Sequence, residues 1–87
     1  MAHNQSSTDG ADVRISRAVT VLLEDLDRSV DQAAASTGLS RASVYRKLAG
    51  DSPWKASEVD VLARYFGVLH GDLFAGDPLV SRRAGTF

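Results

Sequence analysis

Residues 29–50 read SVDQAAASTGLSRASVYRKLAG, and this stretch decides the fold. Ser29 and Gln32 have capping-box spacing, in which the serine oxygen accepts a hydrogen bond from a first-turn amide and the glutamine reaches back. A helix is therefore predicted to begin at Ser29 and to continue through three consecutive alanines. It ends at Gly38, because glycine readily adopts the left-handed conformation that terminates helices.

A second short helix follows almost immediately. Ser40 is its N-cap candidate, and residues 41–49 form the helix before the next glycine. Ala34 lies four residues before Gly38, where two crossing helices leave room for little more than a methyl group. Val44 lies six residues after Gly38 and is predicted to point back into the core. Two short helices with this packing, the second polar and basic, indicate a helix-turn-helix.

The flanking sequence also predicts helices. Before the central stretch, residues 13–27 carry apolar side chains at the spacing of an amphipathic helix: Ile15, Ala18, Val19, Leu22, Leu23 and Leu26. After it, a fourth helix begins beyond Trp54 and ends at Gly67, and residues 68–75 form a short fifth helix. No segment alternates apolar and polar residues as a strand does. The fold predicted is an all-α, compact bundle of four or five helices.

Composition excludes several classes of function. The chain has 87 residues and a mass of 9.3 kDa, so it builds one core, predicted at residues 13–76. A disordered N-terminal tail at 1–12 and a C-terminal tail at 77–87 are expected to flank it. It contains no cysteine and only two histidines, and no nucleophile with its base, metal cluster or phosphate-binding glycine loop can be assembled. We therefore expect neither an enzyme nor a cofactor or metal site. With no apolar span and no secretory signal, we expect a cytoplasmic protein without membrane contact.

Positive charge is concentrated in the second helix of the central pair. Residues 32–50 contain Arg41, Arg46 and Lys47 and no acidic residue, whereas the whole chain has a formal charge of −1. Three basic residues on a surface helix are often no more than a solvated face. Within a helix-turn-helix, however, they favour a polyanionic partner.

The chain resembles the lambda-repressor-like, Cro and XRE group of phage and bacterial transcription regulators over residues 13–76. The resemblance rests on residues 32–50, on the helix that ends ARYFGV at 63–68, and on GDLF at 71–74. The chain departs from the family at Lys47, where many members have an aliphatic residue, and we expect Leu48 to take over its packing role. It also departs at Lys55, where a serine or threonine cap is common.

The resemblance implies that four residues face base edges in the DNA major groove: Ser40, Arg41, Ala42 and Arg46. Their chemistry is suited to this, because arginine can donate two parallel hydrogen bonds to guanine and an alanine methyl can contact a thymine methyl. Side chains that can reach phosphate oxygens are Gln32, Ser43, Tyr45, Lys47 and Lys55. Tyr45 is equally compatible with half-buried packing, and Trp54 fits a cap over the core edge better than a base-stacking platform.

The resemblance implies that the protein is a small repressor or Cro-like protein. We expect it to bind a pseudo-palindromic operator as a homodimer and to need no small-molecule ligand. The apolar residues nearest the expected dimer surface are Leu69, Leu73, Phe74, Leu79 and Val80, although they can equally close the core. The alternative is a protein-interaction module of the same fold, an antitoxin or anti-repressor. Glu24, Asp25 and Asp27 near the end of the first helix can serve that function or simply solubility.

Overall fold

The computed structural model describes residues 10–76, and within them the chain is helical with no strand. This part contains five α-helices: α1 (Ala11–Asp25), α2 (Val30–Thr37), α3 (Arg41–Leu48), α4 (Ala56–Phe66) and α5 (His70–Ala75). The all-α bundle predicted from the sequence is confirmed. None of these helices has the length and apolar character needed to cross a bilayer. Most of the two predicted tails, with Leu79 and Val80, lies outside the described residues.

Helix α1 begins and ends two residues earlier than the sequence predicts. Asp12, assigned to the N-terminal tail, lies in its first turn, where a carboxylate interacts favourably with the helix dipole. At the other end Asp27 adopts a φ of 54°, a left-handed conformation that aspartate tolerates better than most residues. The Arg28 amide then donates to the Leu23 carbonyl at 2.8 Å, which closes the helix. Local backbone geometry therefore ends α1 before the apolar pattern does.

Both ends of α2 and the start of α3 agree with the sequence, while α3 ends at Leu48, one residue earlier than predicted. Ser29 Oγ accepts from the Gln32 amide at 3.1 Å, and Gln32 Oε1 accepts from the Ser29 amide at 2.8 Å, so the capping box is confirmed. Gly38 ends α2 with a φ of 79°. Ser40 Oγ accepts from the Ser43 amide at 3.0 Å and caps α3. Both caps connect residues three apart, so they are readable from local sequence.

Helix α5 starts two residues later than predicted, because Leu69 is extended and acts as its N-cap. The Asp72 carboxylate accepts from the Leu69 amide at 2.9 Å and fixes this start. Nearby, a hydrogen bond between His70 and Asp60 at 2.9 Å is the main cause of a lowered pKa of the Asp60 carboxyl, and Arg64 adds to the effect. These contacts join the start of α5 to α4.

All five helices contribute to one core, in which α1 packs mainly against α5 and also against α3. Its largest fully buried side chains are Ile15, Val19, Leu22, Val44, Leu62 and Leu73. Leu73 is therefore a core residue, whereas Leu69 is 70% exposed and Phe74 is 41% exposed. Of the residues considered for a dimer surface, only these last two lie exposed in the described part.

The loop after α3 is attached to α1 by hydrogen bonds. Asp12 Oδ1 accepts from the Trp54 backbone amide at 2.8 Å, and Ser16 Oγ accepts from the Trp54 indole nitrogen at 2.9 Å. The Ser16 hydroxyl in turn donates to the Lys47 carbonyl at 3.0 Å. Trp54 is buried, so its predicted role as a cap over the core edge is confirmed. Ser16 thus links the end of α3 to the body of the protein.

Replacing Ser16 by alanine is expected to destabilise the protein by about 1–3 kcal/mol, because the Trp54 indole N–H loses its acceptor where water has little access. Urea unfolding followed by circular dichroism measures the change. The matched control is Thr20→Ala on the exposed side of the same helix, with an expected effect within about 0.5 kcal/mol. If Ser16→Ala lowered the free energy of unfolding no more than Thr20→Ala, the hydrogen bonds of Ser16 would not contribute to stability.

Candidate nucleic-acid interface

Helix α3 has one face fixed to the protein and one face open. Val44 is 2% exposed and Lys47 is 7% exposed, while Leu48 is partly buried against the core. The exposed positions alternate with these at helical spacing: Arg41, Ala42, Tyr45 and Arg46. A helix that is immobilised on its inner side can present its outer side to a partner at a defined angle.

The four residues assigned to base edges all lie at the surface. Arg41, Ala42 and Arg46 are on the outer face of α3, and Ser40 is exposed at its N-terminus. No hydrogen bond or ion pair joins the Arg46 side chain to any other residue of 10–76. The helix therefore presents two guanidinium groups outward, and Ser40 keeps its hydroxyl proton available while its oxygen caps the helix.

The packing residues of the helix pair are positioned to set the angle between α2 and α3. Ala34 is 4% exposed, and its carbonyl accepts from the Gly38 amide at 3.0 Å. A Cβ at Gly38 would meet no atom within 4 Å, so space does not require glycine there. The positive φ does require it, since other residues are strained in that conformation. Val44 on α3 is buried in the same core cluster as Ala34.

The structure corrects the prediction that Lys47 contacts phosphate. Its Nζ donates to Ser43 Oγ at 2.7 Å and lies 3.3 Å from Glu58 Oε2, with both charged side chains about nine-tenths buried. Glu58 Oε1 also accepts from the Lys55 amide at 2.8 Å and caps α4. Lys47 itself therefore packs on the inner side of α3 together with the partly buried Leu48, and Glu58 lies beside its ammonium group there.

The other phosphate candidates remain accessible to different degrees. Gln32 is exposed, and its side-chain NH₂ is free to donate while its oxygen serves the capping box. Ser43 is half-buried and accepts from Lys47, so its hydroxyl proton is left to donate outward. Tyr45 is 48% exposed, and Lys55 is exposed at the start of α4. These four side chains can donate to a partner without breaking a bond in the structure.

Arg41 is held by contacts that sequence reasoning did not anticipate. Its Nε lies 2.8 Å from Asp31 Oδ1, and its guanidinium lies 5.7 Å from the centre of the Tyr45 ring. Asp31 is in the first turn of α2, so this ion pair crosses from α2 to α3. Because both side chains are more than half exposed, the pair contributes only about 0–1 kcal/mol to stability.

Three residues important to this surface were missed from the sequence. Glu58 had a usable signal, because it lies three residues after Lys55 at capping-box spacing. Ser16 and Asp31 had none, since each acts on a residue that is distant along the chain. Within the described residues, no group of three or more histidines and acidic residues is placed to hold a metal ion.

A family model for the BetR domain matches residues 27–81, a range that includes α2, α3, α4 and α5. Neither the curated proteins nor the solved structures contain a significant match to the chain. The matched range contains both helices of the α2–α3 pair and the Lys47–Glu58 ion pair. Because the match covers more than half of the chain, the protein belongs to the BetR domain family, a family of small helical domains of the DNA-binding type.

Proposed function

We propose that the protein is a sequence-specific regulator of transcription that binds double-stranded DNA through α3, in the manner of lambda-repressor-like, Cro and XRE proteins. One observation carries the proposal: α3 exposes two arginines on an outer face while its inner face is fixed by Val44, Lys47 and Leu48. A rigid convex helix with this chemistry matches the width of the major groove.

Arg41 and Arg46 read guanine in this proposal. Each guanidinium can donate two parallel hydrogen bonds to guanine O6 and N7, a contact worth about 1–3 kcal/mol of discrimination between bases. Ala42 contacts a thymine methyl, and Ser40 donates to a base edge at the start of the helix. The positioning contacts to phosphate come from Gln32, Ser43, Tyr45 and Lys55.

We infer that two copies act together. A single recognition helix contacts only a few base pairs, so useful affinity requires two copies on a pseudo-palindromic operator with half-sites about 34–36 Å apart. The exposed apolar residues of the described part that suit a contact between copies are Leu69 and Phe74. The dimer acts as a small repressor in the cytoplasm and depends on no cofactor, ligand or catalytic step.

Substituting Arg41 by alanine is expected to relax base preference at one position in each half-site, by about fivefold or more, because a bidentate contact to a base edge distinguishes guanine from the other bases. Lys55→Ala is the matched control, since it removes a phosphate contact and should weaken all duplexes about equally. Selection of bound sequences from random duplexes, run with the wild type and both variants, provides the measurement. An unchanged preference in Arg41→Ala would remove the base-reading assignment of this residue.

Salt dependence separates this proposal from a protein-interaction module of the same fold. A protein that neutralises phosphates loses affinity linearly in log K against log salt concentration, whereas a mainly apolar protein interface scarcely responds. We expect the steep dependence with a duplex obtained by selection. Absence of salt-dependent binding to any duplex would overturn the proposed function.

A further inference from the structure

Asp31 is an unexpected residue to find beside the proposed DNA-binding face. Its carboxylate lies against the Arg41 guanidinium, with 59% of the side chain exposed, so it approaches the same partner as Arg41. A negative charge there repels phosphate and offsets the charge of one of the two outward arginines. Because this exposed ion pair contributes little to the free energy of unfolding, we look for its role in DNA recognition.

The geometry of the pair leaves the part of Arg41 that reads bases free. The ion pair runs from Asp31 Oδ1 to Nε, and no residue of 10–76 forms a hydrogen bond with the two terminal nitrogens of the guanidinium, so their four N–H groups stay available. Those two nitrogens form a planar fork that can donate in parallel to guanine O6 and N7. The Tyr45 ring at 5.7 Å provides a second contact to the guanidinium. The side chain is thus held from two sides with its donor fork unoccupied.

We propose that Asp31 is a specificity-determining residue that positions Arg41 for guanine and withholds its charge from phosphate. The inference rests on the proposed function and adds a mechanism to it. Arg46 provides the contrast within the same helix, because no carboxylate among residues 10–76 pairs with its guanidinium. Asp31 therefore lowers affinity for DNA in general while it increases discrimination at one base.

The decisive variant is Asp31→Asn, which removes the charge and keeps the shape. An unpaired Arg41 can turn to a phosphate, so we expect preference for guanine at its position to fall by about threefold to tenfold. Binding to unselected duplexes should become tighter, and the slope of log K against log salt should steepen by about 0.9, the value for one additional phosphate contact. Sequence selection and a salt titration measure these effects.

Two controls isolate the role of the pair. Glu24→Gln removes one exposed carboxylate near the end of α1, and it should leave the base preference unchanged. In an Arg41→Ala background, Asp31→Asn should no longer affect preference, because the effect of Asp31 is transmitted through Arg41. Thermal unfolding followed by circular dichroism verifies that each variant is folded, and Asn at position 31 keeps the helix turn intact.

The outcomes distinguish a failure of the proposal for Asp31 from a failure of the proposed DNA-binding function. If the wild type selects a sequence with steep salt dependence but Asp31→Asn keeps both its preference and its salt slope, the inference fails and DNA binding stands. If Asp31→Asn alters preference equally with and without Arg41, the positioning mechanism is also overturned. If the wild type binds no duplex in a salt-dependent way, the proposed function and the inference fail together.

Discussion

Replacing Glu58 by glutamine is expected to destabilise the protein by about 3 kcal/mol, one of the largest single effects in the described residues. The glutamine oxygen can still cap the Lys55 amide, so the loss comes from the charge. The Lys47 ammonium, on a side chain that is only 8% exposed, would be left beside a neutral amide. Breaking a buried pair from one side is costly because the remaining charge lacks both water and a counterion. Urea unfolding monitored by the fluorescence of Trp54, the sole tryptophan of the chain, provides the measurement.

The control for this prediction replaces the other partner of the ion pair, Lys47. Lys47→Met removes the ammonium group and keeps an unbranched apolar side chain of nearly the same length. It leaves Glu58 at the N-terminus of α4, where the helix dipole and the Lys55 amide still compensate it. We therefore expect a smaller cost, about 1–2 kcal/mol. The double variant should be more stable than the sum of the two single effects predicts, because no charge is then left unpaired. Additive costs would contradict the coupling of Lys47 with Glu58.

Replacing Leu73 by alanine is expected to destabilise the protein by about 3 kcal/mol. Leu73 is 0% exposed, so the substitution removes apolar contacts and leaves a cavity that surrounding residues fill only in part. The effect is large for a residue in a six-residue helix, since α5 depends on packing rather than on its own length for stability. Denaturant unfolding at two protein concentrations measures the loss and separates it from any contribution of self-association.

Leu69→Ala is the matched control for Leu73→Ala. Leu69 precedes α5 and is 70% exposed, so its truncation should change stability of the isolated protein by no more than about 0.5 kcal/mol. Its effect should appear instead in self-association or in cooperative binding to a two-site duplex, because Leu69 lies on the proposed contact surface. Comparable destabilisation by the two substitutions would show that α5 is not anchored through Leu73.

Much of the fold was predictable because the signals that end these helices are local. The Ser29–Gln32 capping box, the Ser40 cap and the left-handed Gly38 each involve residues within a few positions of one another. Errors occurred where a tertiary or backbone effect competed with the apolar pattern. Asp12 belongs to α1, and its carboxylate also accepts a hydrogen bond from the Trp54 amide, which is 42 residues away along the chain. A bond between residues so distant leaves no periodic trace in the sequence.

The candidate interface was predictable in its location and less so in its details. The sequence alone determined that α3 is short, basic and preceded by a closely packed helix, because spacing and residue size specify those properties. Only the tertiary structure decided that Lys47 points inward to Glu58 and that Arg41 pairs with Asp31. The physical reason is that burying a charged side chain is costly unless a counterion lies beside it. The position of the counterion depends on how the helices pack. Residue types and their local spacing do not predict that packing.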